Sequence, residues 1–175
     1  MPNWCDNSAV ITHKDKSKLL ELSKKAEQNS LFGFVLPEPD YDKVKVKKTY
    51  PKISDTADSI IEYADPKEAW WDWRVQNWGT KWEADFDTGF EFDENLTLWF
   101  DTAWAPPVPI YRELHKRGFG VEAGWLETGC DFCGVFINGK EYDYRTDNKS
   151  VEQIPDKHRD IIGIEEYLYE EKNDE

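Results

Sequence analysis

Apolar and polar positions alternate along the chain in two rhythms, every second residue and every third or fourth, and the switches between them mark out the elements. The run CDNSAVITH, from Cys5 to His13, alternates as a first strand. KDKSKLLELSKKAEQNS then places Leu19, Leu22 and Ala26 on one face with lysines opposite, the pattern of an amphipathic helix. LFGFVLPEP reads as a short strand stopped by Pro37 and Pro39. Between residues 40 and 64, Lys43, Lys45 and Lys47 alternate with Val44 and Val46, as an exposed edge strand or as a hairpin arm. Lysine at such positions blunts an edge against unwanted pairing.

The next helix is predicted to start at Asp65 as N-cap, with Pro66 in the first helical position and Glu68 where a capping-box acid falls, and to close at Gly79. Trp71, Val75 and Trp78 form one stripe along it, and Ala69, Trp70 and Trp73 a second, with Asp72 and Gln76 on the other side. So wide an apolar arc fits a helix lying on a sheet. KWEADFDTGFEFDE returns to strict alternation: Trp82, Ala84 and Phe86 share one face, Glu83, Asp85 and Asp87 the other. After a Thr88-Gly89 turn, Phe90/Phe92 and Glu91/Asp93 repeat the pattern. In NLTLWFDTAW, Leu96, Leu98 and Phe100 oppose Thr97 and Trp99. APPVPIYRELHKRG opens a helix on prolines and ends it with Lys116, Arg117 and Gly118. FGVEAGWLE and FCGVFING are strands, KEYDYRT continues past an Asn138-Gly139 turn, and DKHRDIIGIEEYLYEE is a closing helix with an acidic end.

This order is β-α-β, an insertion carrying the tryptophan-rich helix, then β-β-α-β-β and a terminal helix. It predicts one α+β domain over residues 1–175: a ferredoxin-like antiparallel sheet with helices packed on one face, plus the inserted and C-terminal helices. The lysine-rich insertion falls at about 40–64, and 139–175 form a strand extension and an acidic tail.

Composition adjusts this picture in two respects. A mean hydropathy of −0.80 would fit disorder, but nine Trp, nine Phe and eight Tyr in 175 residues supply apolar area for a core. The tryptophans are accordingly expected inside, with Arg74 over a ring and Asn77 bonded to backbone near Gly79; Trp104, beside three prolines, fits core or surface equally. A net charge of −14 opposes non-specific attraction to nucleic acid or anionic membrane and permits a basic protein partner. No run approaches the roughly 18 apolar residues of a membrane span. The opening MPNWCDNSAVIT lacks a basic-then-apolar leader, and three cysteines, an odd number, fit a reducing cytoplasm.

The segments MPNWC, WRVQNWGTKW, FDTAWAPPVP and FCG occur in that order. In this the chain resembles the Api92-like family, a phage and plasmid group that includes the YubB ferredoxin-like domain, over about residues 1–138 without the lysine-rich insertion. The resemblance implies a ferredoxin-like fold and a mobile-element origin. It brings no activity and no catalytic residues. Cys130 in GCDFCG departs from the single cysteine of the family's motif.

Candidate chemistry is sparse. Cys130 and Cys133 make a lone CxxC; zinc would need further ligands, such as Cys5 and one of His13, His115 or His158, and the plain alternative is two small residues at a turn. The histidines have no metal-binding spacing, and there is no phosphate loop or nucleophile elbow, so neither an enzyme nor a cofactor is expected. The most specific signal is acidic. Glu83, Asp85 and Asp87, with Glu91 and Asp93, recur every second residue, about 7 Å apart along one strand face. That spacing is comparable to successive phosphates, and such a hairpin would occupy the nucleic-acid groove of a partner protein. The alternative is direct nucleic-acid binding by the lysine arm, Lys43, Lys45, Lys47 and Lys48, with exposed aromatic rings.

Overall fold

The alternation from Cys5 to His13 builds the central strand of the sheet, and the rest of the molecule is arranged on its two faces. The computed structural model describes residues 3–43, 48–49, 60–61, 69–86 and 89–165. In chain order the elements are β1 (Trp4–Thr12), α1 (Lys16–Glu27), α2 (Leu31–Val35), β2 (Lys48–Thr49), β3 (Ile60–Ile61), α3 (Trp70–Trp78), β4 (Phe90–Phe92), β5 (Leu96–Ala103), α4 (Val108–Lys116), β6 (Gly120–Glu127), β7 (Phe132–Ile137), β8 (Lys140–Arg145), α5 (Asn148–Val151) and α6 (Asp156–Ile162). The main sheet has the order β4-β5-β1-β6-β7-β8, with every neighbouring pair antiparallel. Its first four strands, with α1 and α4 as crossovers, give the ferredoxin-like βαββαβ arrangement; β7 and β8 extend it through a hairpin. At that hairpin Asn138 and Gly139 both take positive φ, 46° and 93°, as a two-residue turn requires.

The odd positions of β1 (Cys5, Asn7, Ala9, Ile11) enter the larger core, where they meet Leu19, Leu22 and Ala26 of α1, Phe32 of α2 and Ile110 and Leu114 of α4. A smaller core lies across the sheet: Leu126, Cys133 and Val135 pack against Val151, Ile154 and Ile162. Helices therefore cover both faces, with α5 and α6 on the far side. Gly124 makes that contact possible, because a Cβ there would come within 2.3 Å of the Ile161 carbonyl oxygen.

Three expectations need correction. LFGFV is a helical turn and not a strand: the Glu83 carboxylate accepts the amides of Phe32 and Gly33 at 2.6 and 3.0 Å, and Arg117 donates to the Val35 carbonyl. These remote partners satisfy the ends of a helix too short to stand alone. The tryptophan-rich helix does not lie on the sheet; α3 packs against α4, and it buries Trp78 and Asp72 while Trp70 and Val75 stay exposed. Nor do the tryptophans as a set form the core: Trp78 and Trp125 are buried, whereas Trp4, Trp70, Trp82, Trp99 and Trp104 are exposed. Trp78 anchors α3 by donating its indole N–H to the Leu36 carbonyl at 2.8 Å, and Gly79 caps the helix at φ +87° where a Cβ would strike the Pro106 carbonyl oxygen at 2.7 Å. The expected start at Asp65 lies outside the described residues. Arg74 does sit over Trp78 and Trp70, held by a two-pronged contact to Glu38. Asn77 bonds the Trp73 carbonyl within the helix.

Candidate functional site

Beyond α5 and α6 the far face of the sheet is open among the described residues, and pleating decides what it displays. The even positions of β1 point this way, and Ser8 donates to the Ile161 carbonyl at the edge of α6. Strand register then sorts the neighbours into three rows. Asp85, Asp101 and Asp6 stand side by side across three adjacent segments. Trp99 lies beside Ser8 and Gly124 in the next row. Glu91, Thr97, Val10 and Glu122 make the third. Because Ser8 and Gly124 are small, the middle row sinks into a groove of about 350 Å³ walled by Trp99, Val10, Thr97, Glu122, Asp160 and Ile161. An exposed tryptophan thus stands between two acidic rows.

The electrostatics of the first row follow from its crowding. Neighbouring strands are about 4.8 Å apart, so three carboxylates there repel one another. Partial burial, a hydrogen bond with Asp6 and the charges of Asp6 and Asp85 push the Asp101 carboxyl up to about 7. Trp4, two residues along β1 from Asp6, carries the face on to Trp82, whose ring centroid is 6.0 Å away.

The residues singled out in sequence are dispersed by the fold. Asp85 and Glu91 belong to the open face, Asp93 is exposed in the β4–β5 turn, and Asp87 lies outside the described residues. Glu83 does not share their face: its carboxylate is turned toward α2, where desolvation by burial raises its pKa. The regular ladder that would copy a phosphate backbone is therefore broken at its first rung. The physical reason is that, among the described residues of this segment, Asp85 alone bridges to the sheet, which lets the Glu83 side chain turn away.

Lys43 is exposed and pairs with Asp40 at 2.5 Å; Lys48 joins the separate two-stranded sheet, and Lys45 and Lys47 lie outside the described residues. Cys130 is exposed in a turn, Cys133 is sealed under α6 with its thiol pushed up to about 11 by burial, and Cys5 is in the core on the other side of the sheet. Among the described residues no three His, Cys, Asp or Glu side chains are grouped to hold a metal ion.

Asp6, Asp101, Trp4 and Trp99 were not among the sequence candidates. A bulky tryptophan on the polar side of an alternating strand, as in LTLWFDT, was the available signal.

Fold and face together define a ferredoxin-like α+β protein with an open, acidic and aromatic sheet surface. A family model for the ferredoxin-like domain in Api92-like protein matches residues 77–165, more than half of the chain, which belongs to the Api92-like family. The match begins inside α3 and runs past residue 138 through β8 and α6. No curated protein and no solved structure matches the chain.

Proposed function

We propose that this protein is a non-catalytic binding protein, an accessory protein of a phage or plasmid, and that its open sheet face receives a basic segment of a partner protein. One observation carries this reading: Trp99 stands exposed in a groove between a row holding Asp6, Asp85 and Asp101 and a row holding Glu91 and Glu122. An aromatic ring flanked by carboxylates suits a guanidinium or ammonium group on an apolar stem, which stacks and pairs at once. Ferredoxin-like sheets that bind single strands also display aromatic rings, but they surround them with cations. Here carboxylates hold most of those places, with Lys157 paired to Glu122 at 3.3 Å, and their net charge would repel phosphates. A surface of this charge fits a partner whose own groove is lined with lysine and arginine, as in proteins that handle nucleic acid, inside the host cytoplasm.

The test is a fluorescence titration of tryptophan emission with an arginine- and lysine-rich decapeptide and with its glutamate counterpart. The basic peptide should bind, and the combined reversal Asp6→Lys, Glu91→Lys and Asp101→Lys should weaken it at least about tenfold, or ~1.4 kcal/mol, with an unchanged circular dichroism spectrum. Trp99→Ala should also weaken it. Equal affinity for both peptides, or tighter binding of a single-stranded oligonucleotide, would rule the reading out.

A further inference from the structure

At the far end of the open face, two tryptophans hold a cation that the chain itself provides. The Lys81 ammonium lies 3.9 Å from the Trp82 ring centroid and 4.2 Å from that of Trp104, within the range of attraction between a cation and an aromatic face. Both rings remain well exposed, 39% for Trp82 and 48% for Trp104, and Trp4 stands next to Trp82 as a third ring. The turns that carry the rings are fastened to one another from beneath. Buried Thr80 donates to the Ala103 carbonyl at 3.0 Å and Gly79 lets the first turn close on Pro106, while buried Thr102 braces the second turn internally by donating to the Ala105 carbonyl at 2.9 Å. Trp104 has a left-handed backbone, φ +69°, and its N–H donates to the Asn3 carbonyl at 2.9 Å. For a bulky side chain that conformation costs roughly 1–2 kcal/mol. The frame around it sustains the strain, and the result is a ring presented to solvent instead of one folded away.

We infer that Trp82 and Trp104 form a preorganised clamp for an alkylammonium group, and that Lys81 occupies it in the free protein as a built-in competitor. The ligand is a lysine side chain, plain or methylated, of the basic partner, so the owner of the ammonium group rests on the function proposed above; the clamp itself does not. Cation–π contacts at exposed sites are weak, about 0.5–1 kcal/mol each, so the internal lysine is displaceable. A quaternary ammonium group gains the same contacts and is the simplest probe of them.

The experiment titrates tetramethylammonium chloride into wild-type protein, Lys81→Gln, and Lys81→Gln combined with Trp104→Ala, with sodium chloride held at matched ionic strength. Tryptophan fluorescence is the readout, and tert-butyl alcohol is the uncharged probe of similar size. Removing the internal competitor should tighten tetramethylammonium binding about tenfold, and Trp104→Ala should abolish the gain, while the alcohol produces neither effect. Affinities within twofold for wild type and Lys81→Gln would overturn the proposal, as would equal binding of the alcohol. If Lys81→Gln no longer melts cooperatively, the ammonium group is a structural cross-link and the clamp is likewise ruled out. Because no peptide is used, loss of basic-peptide binding on reversal of Asp6, Glu91 and Asp101 remains a separate result.

Discussion

Asp101 shows how a single side chain reports the character of its surface. Its carboxyl is pushed up to about 7 because it is partly withdrawn from water, and because it shares a hydrogen bond with Asp6 and lies beside the charges of Asp6 and Asp85. In the unfolded chain the same group titrates near 3.8. Between those two values the folded state holds more protons than the unfolded state, so the contribution of this residue to stability falls as pH rises from about 4 to about 7. Asp101→Asn should therefore raise the melting temperature at pH 7.5 and leave it unchanged near pH 3.5. Since the side chain stays in partial contact with water, solvent screening keeps the gain to the order of 1 kcal/mol or less. Thermal melts at the two pH values check this, and a larger benefit in acid would contradict it. Glu83 carries a similar lesson in reverse: by alternation it belongs with Asp85, yet two amides of α2 draw it inward. Periodicity assigns a side chain to a face only where the backbone is paired.

At the scale of elements, most strands and the two crossover helices were legible, since each has one apolar face of the right period and recognisable ends. α2 was not, because five residues contain too little local signal to distinguish a helical turn from a strand, and its terminal hydrogen bonds come from residues 83 and 117. α3 was misplaced because its richness in tryptophan implied burial on the sheet, when Trp78 alone of its rings is fully buried. α6 was foreseen as a helix but not as the cover of the second face. That cover depends on a missing side chain. Gly124→Ala would put a Cβ against the backbone of Ile161 and Ile162, which cannot yield as a side-chain tip can. The expected outcome is a loss of about 1–3 kcal/mol, together with faster amide exchange across 156–162. Protection equal to wild type over those residues would show that α6 is not seated on Gly124.

For the whole molecule, the net charge of −14 and the carboxylates gathered on the open sheet face act together. Attraction of a basic partner should then be long-ranged and sensitive to salt, since screening shortens from about 10 Å at 0.1 M to about 3 Å at 1 M. The affinity for the arginine- and lysine-rich peptide should fall at least about tenfold over that range, whereas the penalty for Trp99→Ala, which acts at contact distance, should be nearly constant. Anisotropy titrations at several salt concentrations measure both; a salt-independent affinity would mean that apolar contact alone drives binding.

By itself the sequence determined the class of fold, the family and the sign of the surface charge, because these depend on local periodicity, ordered motifs and a sum over residues. The tertiary structure alone decided which carboxylates stand together and which tryptophans face water. Asp6, Asp85 and Asp101 are neighbours through strand register, and Lys81 meets Trp82 and Trp104 because two turns are tied together by Thr80 and Gly79. Contacts between residues far apart in the chain depend on how several elements pack at once, and no local pattern contains that.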